Sequence, residues 1–315
     1  MKRIITLCSL IVLMSSASHA LAHNAGWMAG LPDTVKVCRV SIPGTHDSGT
    51  AGVRFPMKHY ARTQTMDLAE QWDAGIRFFD LRPKLDKGEL KIYHGPANCH
   101  LTFKEALLTL KGKLELNPTE FCIVMTNSAG GGQAAVNMTM KDVYDVLPAG
   151  MIAVFKPGMT VRDIRGQILF IHRNAPSEGT DAPGVLTNAW PADGLNQKAG
   201  LVSQQGERAV LWAQDYYTSG NNSASAYLDI KWRMMQHLLD DFTGAEDEVW
   251  CINHASGYTG TCVRTNIGRN REATNARLLE YLRGHEEPVG IIPVDFPAPE
   301  LIDAIIILNT FASEK

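Results

Sequence analysis

Seven short runs of β-branched and apolar residues, at 35–42, 76–81, 121–126, 168–171, 209–213, 249–252 and 289–294, recur along the 315-residue chain. Each has the length and mainly apolar or β-branched character that fits a strand buried in a parallel sheet. Longer amphipathic stretches lie between them. In 101–116, Leu101, Ala106, Leu107, Leu110 and Leu114 fall near helical spacing, and 275–282 runs into Arg283-Gly284, a glycine stop signal. Both are expected to be crossover helices. No Pro- or Ser-rich linker and no fixed-period repeat divides the chain, so the alternation predicts one α/β domain, either a barrel or an open doubly wound sheet.

The polar residues separate these two. The segment 41–49, His94, Arg173, Asp215 and Asp295 all fall at or just beyond the C-terminal ends of expected strands. Chemistry drawn from the carboxyl ends of many strands is what a (β/α) barrel provides, whereas an open sheet gathers ligands at one switch point. There is also no G-x-G-x-x-G. The expectation is a single TIM-like (β/α) barrel over 23–315, with irregular or incomplete closure allowed.

The first 22 residues read as an address. Lys2 and Arg3 precede an apolar run at 4–14, and Ala20-Leu21-Ala22 follows, the order of a secretory signal cleaved after Ala22. The run is too short to remain as a membrane anchor. A secreted or periplasmic protein is expected. Its loss removes two basic and no acidic residues, taking the net charge from −3 to −5. No polycationic surface is left to neutralise phosphates, so nucleic acid is not an expected partner. With no long apolar surface stripe, a monomer is expected.

Five cysteines remain after Cys8 leaves. Cys251 and Cys262 flank a glycine-rich segment and are the candidate bridge, while Cys38 and Cys122 sit in apolar runs as buried fillers. No His/Cys grouping has zinc-site spacing.

The segment Ser41-Ile42-Pro43-Gly44-Thr45-His46-Asp47-Ser48-Gly49-Thr50 leaves the first strand through a Pro-Gly turn and sets an imidazole beside a carboxylate. Downstream, Asp80 and Arg82 alternate on one face of a strand. Inside a barrel an unpaired charge is costly, so Arg82 is expected to meet an acidic group or a bound anion. Tyr93-His94-Gly95-Pro96 supplies a second imidazole in a turn. Two histidines, carboxylates and an inward arginine suffice for metal-free phosphoryl transfer, with one His as base, the other as acid, and the guanidinium on the phosphate oxygens. His59, His100, His172, His237, His254 and His285 lack such a setting and are read as structural or exposed.

The segments at 41–50, Phe79-Asp80-Leu81-Arg82 and His94-Gly95-Pro96 resemble the signatures of the bacterial phosphatidylinositol-specific phospholipase C family, an X-domain barrel. The likeness runs from Trp27 to Val294-Asp295. It implies that His46 is the general base for the inositol 2-hydroxyl, oriented by Asp295. It further implies that His94 is the general acid, coupled to Asp47, and that Arg82 binds the phosphate with no metal or other cofactor. A guanidinium and a calcium ion would compete for one phosphate oxygen. Arg173, Asp215 and Tyr217 match residues that bind and stack on the inositol ring. Where the family has a pocket lysine this chain reads Thr126-Asn127-Ser128, a departure in the pocket. Tyr60, in Pro56-Met57-Lys58-His59-Tyr60, matches the short rim helix that meets lipid, so phosphatidylinositol in membranes, docked transiently, is the expected partner. Two alternatives stay open: a phosphodiesterase acting on another headgroup, and a non-catalytic barrel that binds inositol lipids.

Overall fold

The computed structural model describes residues 24–128, 143–173, 183–218, 220, 222–246, 248–258 and 263–311, with the backbone alone for 263–271. The expected leader and Cys262 lie outside them; Cys251, the other half of the expected bridge, carries a free buried thiol. Cys38 and Cys122 are buried, as expected of fillers.

In chain order the strands are β1 (Ile42–Thr45), β2 (Phe78–Leu81), β3 (Pro83–Asp86), β4 (Glu89–His94), β5 (Ala97–Thr102), β6 (Cys122–Thr126), β7 (Ile168–His172), β8 (Val185–Asn188), β9 (Leu195–Ser203), β10 (Arg208–Gln214), β11 (Trp250–Asn253) and β12 (Ile291–Val294). The helices are α1 (Lys58–Ala61), α2 (Leu68–Asp73), α3 (Phe103–Leu116), α4 (Val161–Ile164), α5 (Ala224–Thr243), α6 (Val263–Leu282) and α7 (Pro299–Ile306). Nine strands close a barrel in the order β1-β12-β11-β10-β9-β8-β7-β6-β2, with β2 returning to β1. The barrel is closed but irregular. β9 runs antiparallel to both neighbours, β8 and β10, and the other pairings are parallel. Six of the seven expected runs contain barrel strands. The exception is 35–42, which forms a 3-10 turn at Val37–Arg39 and becomes strand only at Ile42. Its Val37, Cys38 and Val40 pack with Met28, Phe121 and Trp250, so the apolar run recorded burial and not extension.

α3 illustrates what holds the outer layer. Thr102 and Glu105 form a reciprocal capping box at its start, and Phe103, Ala106, Leu107, Leu110 and Leu114 are buried. Burial of each leucine contributes roughly 1.5–3 kcal/mol, against about 1 kcal/mol for a cap, so packing dominates. At the strand N-terminal end of the barrel, Arg77 and Glu120 form a fully buried pair at 2.9 Å, the guanidinium lies 3.9 Å from the Trp72 ring centroid, and Met28 N–H donates to Glu120 Oε2. This pair is wholly engaged in structural contacts, as expected of the face that stabilises such barrels. Among the described residues no helix is long and apolar enough to cross a membrane.

β3, β4 and β5 form a separate antiparallel sheet inserted after β2. A two-residue turn at Lys87-Gly88, both at positive φ, joins the first pair, and Gly95, also at positive φ, opens the turn between the second. His94 therefore sits at a hairpin tip and not at the end of a barrel strand.

Candidate active site

Parallel register builds the first half of the site. Thr45 pairs with Val294, and His46 N–H donates to the Val294 carbonyl, so the next residues of β1 and β12, His46 and Asp295, emerge side by side at the mouth. His46 Nδ1 lies 2.8 Å from Asp295 Oδ1. Gln64 clamps the two strand ends by donating to the carbonyls of both His46 and Val294, and Thr63 Oγ1 donates to the His46 carbonyl. Asp47 then adopts a left-handed conformation, φ 46°, which Asp tolerates better than most residues.

That turn sets Asp47 Oδ2 between the histidines, 3.3 Å from His46 Nε2 and 3.4 Å from His94 Nε2. The two ring centroids are 6.3 Å apart and nearly perpendicular. Arg82 links the remaining charges: its Nε is 2.7 Å from Asp47 Oδ1, and its Nη2 is 3.2 Å from Asp80 Oδ2 and 2.7 Å from His46 Nε2. The expectation that Arg82 meets carboxylates is met by Asp47 and Asp80. His46, Asp47 and Asp80 are also the grouping with metal-ligand spacing among the described residues, their ligand atoms lying within 4.8 Å. The Arg82 guanidinium lies against both of its carboxylates, supplying covalently the positive charge that such a cluster attracts.

Hydrogen-bond partners assign the protons. Nδ1 of His46 faces the Asp295 carboxylate and carries a hydrogen, while Nε2 lies between the Asp47 carboxylate and an Arg82 N–H, toward which it offers its lone pair once deprotonated. This is the form of a base. His94 differs: Nδ1 donates to the Ala61 carbonyl at 2.7 Å, and Nε2 faces the Asp47 carboxylate, so both nitrogens meet acceptors.

Burial opposes charge on His46, but Asp47 and Asp295 outweigh it and Arg82, and its pKa rises to about 9. The base form of the free protein is thus reached on the alkaline side. An NMR titration of His46 should find its ionisation well above 6.5. Because Asp295→Asn removes a carboxylate that favours the imidazolium, the ionisation should move to lower pH; an unchanged value would show that Asp295 does not act on His46. Burial would likewise raise Asp80, yet the Arg82 charge holds it below the ordinary carboxylate range.

The polar wall of the mouth comes from β7, β10 and β11. Arg173 and Asp215 pair at 2.8 Å, and the Trp190 indole donates to Asp215 at 3.0 Å while its face carries the Arg173 guanidinium at 4.8 Å. Tyr217, 37% exposed at the rim, has its N–H held by Asp193, and its ring lies 6.2 Å from that of Tyr258. Tyr60 is exposed at 53%, but Phe55, which the sequence reading passed over, is exposed at 76%. Arg54, Lys58 and Arg62 flank these rings in the chain.

His172 is structural as expected, accepting from Thr126 Oγ1 and donating to the Pro183 carbonyl, with burial lowering its pKa to about 4. His254 is not a peripheral residue. Its ring lies 5.9 Å from that of His46 and 5.8 Å from that of Trp190, inside the mouth. Its signal was its place one residue after β11, which matches the place of Asp295 after β12.

No family model matches the chain. A 1-phosphatidylinositol phosphodiesterase of Listeria monocytogenes is 35% identical over 297 residues, which cover 90% of this chain and 85% of the relative. A Staphylococcus aureus protein of the same name is 27% identical over 146 residues, 43% of this chain and 44% of the relative. Among solved structures, the phosphatidylinositol-specific phospholipase C of Listeria monocytogenes superposes with a TM-score of 0.72 at 24% identity, covering 91% of this chain and 99% of that one. The Staphylococcus aureus phospholipase C of that specificity gives 0.79 at 20% identity over 92% and 99%. The barrel is therefore shared with these proteins.

Proposed function

The chain belongs to the bacterial 1-phosphatidylinositol phosphodiesterase family, and on that premise we propose that it is an exported phospholipase C that cleaves phosphatidylinositol to diacylglycerol and inositol 1,2-cyclic phosphate. The observation that carries this reading is the pair of differently partnered histidines, His46 and His94, on either side of Asp47 with Arg82 beside them. His46 Nε2 takes the proton of the inositol 2-hydroxyl as that oxygen bonds to phosphorus. The bond from phosphorus to the glycerol oxygen breaks, and His94 Nε2–H gives that oxygen its proton. Arg82 stabilises charge on the non-bridging oxygens, where a fixed donor is most effective. Water opens the cyclic ester more slowly with the two histidines exchanging roles. Arg173, Asp215 and Tyr217 hold the ring.

The alternatives have less support. Metal-dependent cleavage of another headgroup draws on the same His46, Asp47 and Asp80 that Arg82 engages. Lipid binding alone gives no reason for two histidines to flank one carboxylate with an arginine beside them. Export rests on the leader at 1–22 and the domain on 23–315.

Docking on lipid is assigned to Phe55 and Tyr60, both projecting near α1, whose Ala61 carbonyl holds His94. Pure protein incubated with phosphatidylinositol vesicles should yield inositol 1,2-cyclic phosphate by phosphorus NMR; no cyclic product would overturn the activity. Phe55→Ser should slow cleavage of vesicles roughly tenfold, the loss of one inserted ring, and leave a dispersed short-chain substrate unaffected. Equal effects on both would remove the docking role.

A further inference from the structure

His254 stands in the mouth with no role in the reaction described above. Strand alternation fixes its direction. Gln214 and Asn253, the last residues of β10 and β11, turn outward: Gln214 meets Lys231 of α5, and Asn253 donates to the Met235 carbonyl on the same helix. The following residues, Asp215 and His254, therefore face the barrel interior. The backbone is pinned there, since His254 N–H donates to the Gln214 carbonyl and the Gln214 side-chain amide donates to the His254 carbonyl. The ring is fully buried between His46 and Trp190, on the wall that joins the base to the Arg173–Asp215 pair.

One nitrogen of this ring is unused. Nδ1 makes a long contact, 3.4 Å, with Ser256 Oγ, while Nε2 has no hydrogen-bond partner among the described residues. A buried polar atom without a partner is destabilising and calls for a physical reason. Burial lowers the pKa to about 3 against the pull of Asp215. The ring is thus neutral and able to share one hydrogen bond with a hydroxyl in either direction.

We propose that His254 is a specificity residue for the polyol ring: when Arg173 and Asp215 exchange their mutual contact for ring hydroxyls, His254 Nε2 bonds a further hydroxyl of the inositol. This rests on the phosphatidylinositol reading and deepens it. It gives the pocket a polar contact on the wall between His46 and the Arg173–Asp215 pair.

The test compares calorimetric binding of free myo-inositol with steady-state cleavage of phosphatidylinositol. His254→Phe keeps the ring packed on His46 and Trp190 but removes both nitrogens. It should weaken inositol binding and raise KM about tenfold, the worth of one hydrogen bond, with kcat little changed and the melting temperature not lowered. A merely packing role predicts unchanged inositol affinity, which would overturn the proposal. A fall in kcat with inositol affinity intact would do the same, since it would place the effect on His46. Should His254→Phe fail to melt cooperatively, His254→Gln and His254→Asn carry the test. The longer Gln amide reaches the Nε2 position and should bind inositol more tightly than Asn; equal affinities count against the proposal. Wild-type protein that cleaves phosphatidylinositol while His254→Phe binds inositol normally overturns only the role of His254. Wild-type protein that neither binds inositol nor cleaves the lipid overturns both readings.

Discussion

His46→Ala should lower turnover of phosphatidylinositol by roughly 10³-fold, the scale of a general base, while the protein still melts cooperatively, somewhat earlier at neutral pH because Asp47 and Asp295 lose the imidazolium beside them. The ring sits at the mouth, and its contacts are with Asp295, Asp47, Arg82 and neighbouring rings, not with the apolar core. His94→Ala should cost a similar factor for the natural lipid. The two variants part company when the leaving group changes. A nitrophenolate leaves without a proton, so an inositol nitrophenyl phosphate should restore much of the activity of His94→Ala and none of that of His46→Ala. The double variant should be little worse on the lipid than either single one, because acid and base serve one transition state and their effects do not add. Full activity of either alanine variant would remove that histidine from its role. Equal rescue of both by the nitrophenyl substrate would mean that acid and base are not divided as their hydrogen bonds indicate.

From the residues alone the proposed division between His46 and His94 was visible only as two histidines in glycine-containing turns, and the family resemblance supplied their separate roles. Their proton placements depend on Asp295, 249 positions away, and on the Ala61 carbonyl, a backbone group that no side-chain pattern reports. The barrel itself was legible because buried parallel strands leave unbroken apolar runs, as at 121–126 and 168–171. Signals failed where the barrel departs from that rule. β8 and β9 alternate buried and half-exposed residues in an antiparallel pair, and their region contributes Trp190, which no run announced. The 3-10 turn at Val37–Arg39 failed in the opposite sense, being apolar without being extended. Arg82 was legible for a physical reason: a charge alternating with Asp80 on an inward face had to find a counter-charge. His254 followed the same strand-end logic as Asp295, but only Asp295 lies in a segment that the family resemblance matched.

Arg82 offers the sharpest separation of catalysis from stability. Arg82→Lys retains a positive charge, yet an ammonium is a single point on a flexible stem and cannot reach Asp47, Asp80 and His46 at once as the guanidinium does. Turnover should fall roughly 10²–10³-fold, as for loss of one fixed oxyanion donor, with the melting temperature close to that of wild type. Arg82→Ala should lose at least as much activity and also melt earlier. It leaves Asp80, fully buried, without the guanidinium that faces it, and takes one of the cationic neighbours from Asp47. Removing one partner of a buried pair costs ~3–5 kcal/mol, and Arg82, 19% exposed, should show part of that. The loss should shrink as the pH falls, because the Arg82 charge holds Asp80 below the ordinary carboxylate range in the wild type and the buried Asp80 carboxylate is neutralised at low pH in the variant. Wild-type turnover should survive EDTA, since the guanidinium already supplies a fixed positive charge beside Asp47 and Asp80. A strict calcium requirement, or an Arg82→Lys enzyme as fast as wild type, would remove the guanidinium from the phosphate and leave it as a structural counter-ion for Asp47 and Asp80.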